Sequence, residues 1–87
     1  MKNPAGVKAF GAHLRQLRQE REWSLQELAY RADISLLTVH RTETAKFAVT
    51  LDVLLSLARA FQMPLTELVN APEMEKANAI PDKDSIL

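Results

Sequence analysis

The side chains best equipped for chemistry in this chain are Arg41 and Lys46. An arginine guanidinium can donate a fork of hydrogen bonds to guanine O6 and N7, or clamp a phosphate. A lysine is a point charge suited to a phosphate backbone. Both lie in or just beyond the stretch Ser24 to Glu43, SLQELAYRADISLLTVHRTE, which reads as two short helices joined by a tight turn. Ser24 and Ser35 are their start signals. A helix start presents free amides and a partial positive charge, so the Ser24 end is itself suited to an anion. Other chemistry finds no support. His13 and His40 stand far apart without an acidic or sulfur partner, and there is no cysteine, so no metal site is expected. No nucleophile–base–acid constellation and no phosphate-cradling glycine loop is visible, so the chain is expected to be neither an enzyme nor a cofactor protein. His13 is expected at the surface.

The elements that must position these groups follow from periodicity. Residues 1–6 read as a loose start, with Pro4 and Gly6 breaking any early pattern. Val7, Phe10, Leu14 and Leu17 then form one helical stripe, ending near Arg21 or Glu22. Ser24 and Glu27 have capping-box spacing, and Trp23 with Leu28 has that of a hydrophobic staple. The second helix runs to Ala32 with Leu25, Leu28, Ala29 and Ala32 on its apolar side. Asp33 is the turn residue suited to positive φ. Ser35 caps a third helix, 35–42, in which Val39 is the core residue. TAKFAV follows as a loop, and Thr50 caps a fourth helix. That helix carries Leu51, Leu54, Leu55, Leu57, Ala58 and Phe61, and its leucine stripe is expected in the core. Pro64 opens a short fifth helix, Leu65 to Val69. Residues 70–87 are polar, contain two prolines and lack periodicity, so a flexible tail is expected. The organisation is therefore a loose N-terminus 1–6, one all-α domain over 7–69 and a tail 70–87.

The totals set bounds. The 87 residues suffice for one domain with one modest core. No apolar run has the length of a secretory signal or a membrane span, so a cytoplasmic protein away from the membrane is expected. The formal net charge is zero, but it is unevenly spread. Through Lys46 there are eight basic and five acidic residues, a balance of +3, and the remainder carries three basic and six acidic, a balance of −3. A basic front can still face phosphates.

Arg18, Ser24, Leu28-Ala29, Ile34-Ser35, Thr38-Val39, Glu43, Leu51, Leu54, Ala58 and Leu65 to Leu68 fall at the spacings of a known domain. The chain resembles the lambda-repressor/Cro-like (XRE-type) helix-turn-helix family from about Phe10 to Val69. The resemblance implies a five-helix bundle that binds double-stranded DNA as a homodimer on a near-palindromic operator, with the helix headed by Ser35 in the major groove. It places Leu36, Leu37, His40 and Arg41 at base edges or adjacent backbone, with the contact positions Ser35 and Thr38 beside them. It places Ser24, Leu25 and Gln26 at phosphates, and Thr44 and Lys46 at the backbone. Arg18 and Glu43 match a pair that braces helix one against the end of helix three. The chain departs from the family where Leu25 replaces a glutamine and Asp33 a glycine. Thr42 replaces an apolar residue, so its hydroxyl needs a partner if buried. Ala45 and Val49 replace a glycine and a proline, which predicts a different loop path.

Two functions are compatible with this reading. The first is a dimeric DNA-binding transcriptional regulator, acting as a repressor by occluding polymerase. The second is a protein-interaction module, or an antitoxin-like or controller protein, that binds a partner protein through an apolar patch of Leu25, Leu36 and Leu37.

Overall fold

The computed structural model describes residues 4–46 and 48–70. Within them the chain forms five helices: α1 Pro4–Glu20, α2 Leu25–Ala32, α3 Leu36–Glu43, α4 Leu51–Ala60 and α5 Leu65–Leu68. Helix α1 starts earlier than expected, because proline suits a first helical turn, where its missing N–H costs nothing. The expected flexible tail at 71–87 lies outside the described residues, as do residues 1–3.

Each start follows from its cap. The hydroxyls of Ser24, Ser35 and Thr50 accept from the amides of Glu27, Thr38 and Val53 at 3.0, 3.0 and 3.2 Å. Each satisfies one of the amides that a helix start leaves open. Only half of the capping box forms. The Glu27 carboxylate runs forward to the Arg31 Nε at 3.0 Å, not back to Ser24.

The helix ends share one device. Helices α1 to α4 are each followed by a residue in the left-handed region: Glu22, Asp33, Ala45 and Gln62, with φ of 57°, 56°, 58° and 56°. Each carries the paired amide-to-carbonyl bonds of a Schellman ending. After α1 these are Trp23 N to Arg18 O and Glu22 N to Gln19 O, and after α3 they are Lys46 N to Arg41 O and Ala45 N to Thr42 O. Ile34 and Met63 close α2 and α4 in the same way. None of the four is glycine. Ala45, where the resemblance expects a glycine, adopts the left-handed conformation a glycine would.

Helix α1 packs on α3, α2 on α3 and α4, and α4 on α5. Their shared core is Phe10, Leu14, Leu28, Ala29, Ala32, Val39, Leu57, Ala58, Phe61 and Leu68. Burying one such Leu or Phe side chain contributes roughly 1.5–3 kcal/mol. Gly11 sets the α1–α3 approach: a Cβ there would lie 2.6 Å from Thr42 O and 2.7 Å from Glu43 O. Thr42 is fully buried, and its hydroxyl finds the partner it needs in Thr38 O at 2.8 Å. Trp23 stacks on Phe61 with ring centroids 5.2 Å apart, and the Arg31 guanidinium lies 4.4 Å from the Trp23 ring centre.

Two expectations are corrected. Leu51 and Leu55 are not core: they are 61% and 50% exposed, because the neighbours of α4 cover only the side bearing Leu57, Ala58 and Phe61. His13 is not a surface residue. It is half-buried, and its Nε2 is enclosed without a hydrogen-bond partner among the described residues.

Candidate nucleic-acid interface

Helix α3 turns Val39 and Thr42 inward and leaves Leu36, Leu37, His40 and Arg41 outside. This division follows from helical periodicity around the Val39 anchor. The first turn is stiffened by its own hydroxyls. Ser35 Oγ lies 2.7 Å from Thr38 Oγ1 and also accepts the Thr38 amide. Thr44 Oγ1 donates to His40 O at 2.7 Å. Ser35, Thr38 and Thr44, all expected as contact residues, therefore have their hydroxyls engaged within the protein, and Thr38 is half-buried.

The last turn of α3 carries the strongest local feature. In a Schellman ending the residue after the left-handed position is usually apolar and folds against the helix. Trp23, Ile34 and Met63 occupy that position after α1, α2 and α4, and all three pack against the core. After α3 the same position holds Lys46, which is exposed. Its amide is tied to Arg41 O at 2.9 Å, so the backbone of Lys46 is held against the turn that bears Arg41. Leu37, His40, Arg41 and Lys46 line one shallow open hollow of about 490 Å³. Four of the expected contact residues are thus brought together. Leu36 and Leu37 are 48% and 53% exposed.

The start of α2 supplies a second element. Ser24 and Gln26 are exposed, and the amides of Leu25 and Gln26 have no acceptor among the described residues. Leu25 is half-buried and packs against the core, on the apolar side of α2 where its spacing put it. An apolar side chain one turn before Leu28 and Ala29 gains more by folding inward than by facing water.

Arg18 holds α2 and α3 in register. Its Nε and Nη2 donate to Glu43 Oε2 and Oε1 at 2.7 and 3.1 Å, and its Nη1 donates to Trp23 O at 2.8 Å. The two side chains are only 12% and 5% exposed. The hydrogen bonds that Arg18 donates to Glu43, and less strongly the Glu43 charge, raise the Arg18 pKa above its already high ordinary value, against the lowering effect of burial. One guanidinium thereby joins the end of α3 to the entry of α2.

Sequence reasoning identified the brace and the hollow's lining. It missed the left-handed residues Glu22, Ala45 and Gln62, and with them the reason Lys46 sits where it does. The usable signal was the apolar residue that follows three of the four endings, Trp23, Ile34 and Met63. Among the described residues no group of three or more acidic or histidine side chains could hold a metal ion, and no helix is long and apolar enough to cross a membrane.

A model of the helix-turn-helix domain matches residues 9–71. The chain belongs to the helix-turn-helix domain family. Membership carries the function of a DNA-binding transcriptional regulator. Among solved structures this helix-turn-helix chain is similar to the restriction-modification controller protein C.AhdI from Aeromonas hydrophila. The two are 31% identical, with 71% of this chain and 94% of that one covered and a TM-score of 0.68. It is also similar to the clp gene regulator ClgR from C. glutamicum, at 24% identity, 86% and 95% coverage and a TM-score of 0.70, which shows the fold. No curated protein sequence is similar to the chain at a significant level.

Proposed function

We propose that this helix-turn-helix regulator binds double-stranded DNA sequence-specifically as a cytoplasmic homodimer, with α3 in the major groove, and represses by occluding polymerase. It is not an enzyme. The observation that carries this reading is the hollow lined by Leu37, His40, Arg41 and Lys46, with the lysine standing where the three sister helix endings put an apolar residue. Arg41 reads a guanine edge, and Leu36 and Leu37 meet thymine methyls. Lys46 and the open amides of Leu25 and Gln26 hold phosphates and set register. The hydroxyls of Ser24, Ser35, Thr38 and Thr44 act indirectly, by keeping the helix starts and ends in shape. Two copies would address half-sites about one helical turn, ~34 Å, apart.

The test is duplex binding across a salt series. Affinity should fall steeply as salt rises. Arg41→Ala should relax sequence preference, whereas Lys46→Ala should weaken all sequences alike and reduce the salt slope by about one. Absence of binding to genomic fragments at low salt would overturn the reading.

The exposure of Leu36 and Leu37 favours a second reading, a partner protein docked on α3. The similarity to a restriction-modification controller protein is compatible with both readings. Replacing both leucines by serine discriminates between them. Loss of operator preference supports DNA contact, whereas intact DNA binding with loss of a co-purifying protein supports the partner.

A further inference from the structure

The described residues expose five large apolar or aromatic side chains: Tyr30, Leu36, Leu37, Leu51 and Leu55. Leu36 and Leu37 belong to the α3 face, and Tyr30 stands alone on α2. Leu51 and Leu55 remain, one turn apart on α4, and the DNA reading makes no use of them. At about 100° per residue, Leu51, Leu55, Arg59 and Asp52 fall within roughly 100° of arc, in that order around the helix. The strip is thus apolar along one side, with an acid near its start and a base near its end.

Neither of the two charges, Asp52 and Arg59, is in an ion pair among the described residues, where the pairs are Arg18–Glu43 and Glu27–Arg31. Arg59 makes only a long contact, Nη2 to Ala32 O at 3.5 Å. Asp52 and Arg59 are seven residues apart, two helical turns or about 10.5 Å. A twofold axis crossing α4 between Leu55 and Ser56 would set Asp52 of each copy opposite Arg59 of the other. Leu55 and its copy would then flank the axis. A patch that complements itself on twofold rotation is the requirement for a closed dimer.

We infer that α4 pairs antiparallel with α4 of a second copy of this chain, through Leu51 and Leu55 and two Asp52–Arg59 ion pairs. This rests on the homodimer reading above and assigns its surface. α4 packs on α2 and α5, so the pairing leaves the outer face of α3 open for DNA. Two leucines per copy fall well short of the roughly 800 Å² per partner of a standard stable interface. The dimer is therefore a weak, reversible one that DNA completes.

The test is sedimentation equilibrium of the full chain over a concentration series, free and with a duplex carrying two half-sites. Folding of each variant is confirmed by its circular dichroism melt. The wild-type chain should associate reversibly, and Leu55→Glu should raise the dimer dissociation constant by at least about tenfold. Asp52→Arg and Arg59→Asp should each weaken association. The double variant Asp52→Arg/Arg59→Asp should restore it, which neither helix-dipole preference nor general surface charge would do. If the wild type dimerises and Leu55→Glu and Asp52→Arg dimerise equally well, the α4 face is wrong while the homodimer reading stands. A charge reversal without rescue in the double variant overturns the proposed register. A wild type that is monomeric both free and on DNA overturns this inference and the homodimer reading together.

Discussion

Arg18 spends three of its donors on two carboxylate oxygens and one carbonyl, in a site only partly open to water. Removing one partner from such a pair strands the other, so Glu43→Gln should cost about 3 kcal/mol in a denaturant titration. The sign of its pH dependence follows from the raised Arg18 pKa. A cation held above its ordinary pKa contributes stability that is fully present below that ordinary value and is lost only as pH rises through the raised one. The melting midpoint should therefore owe no alkaline loss to Arg18 until strongly basic pH. This pair was legible only through family resemblance, because the partners are 25 residues apart and no local pattern joins them. The need of the Thr42 hydroxyl for a partner was legible from residue type alone. That Leu25 would fold inward was half-legible: it stood on the apolar side of α2, and its place in a family contact position obscured this.

At the scale of elements, the molecule closes four helices in the left-handed region without one glycine. An L-residue pays roughly 1–2 kcal/mol for that conformation. Ala45→Gly should accordingly raise stability by about 1 kcal/mol and the melting midpoint by several degrees. Gly11 predicts the opposite sign. Alanine is the better helix former by about 1 kcal/mol, yet its Cβ would press on the carbonyls that end α3. Gly11→Ala should therefore destabilise by about 1–3 kcal/mol, and by displacing α3 it should weaken DNA binding as well. The caps at Ser24, Ser35 and Thr50 were readable because their residue types are specific to the task. Of the endings only Asp33 was readable, since Glu, Ala and Gln are not turn formers, and after Glu22 and Gln62 it is the packing of Trp23 and Met63 that favours the turn.

At the scale of the whole molecule, a chain of zero net charge must bind DNA through where its charges lie. The affinity of one copy is then modest, and in the proposed dimer the joining of two copies supplies the rest. The full chain should bind a duplex with two half-sites ~34 Å apart far more tightly than one with a single half-site. Inserting about five base pairs between the half-sites, which turns one of them to the opposite side of the duplex, should abolish the gain in a gel-shift titration. The five-helix order was legible because periodicity and caps agreed at every element. The exposure of Leu51 and Leu55 was not. Periodicity tells how much of a helix is apolar, whereas coverage depends on how many neighbours a chain this short can supply.

Lys46 occupies the one helix ending of the four that gives up an apolar contact. With the DNA contact proposed for Lys46, position 46 becomes a point where stability and activity are traded against each other. Lys46→Met should complete the ending as Met63 completes that of α4, raising the unfolding midpoint while lowering affinity for every DNA sequence. Selection for heat resistance alone should drift toward that change, and selection for binding should reverse it.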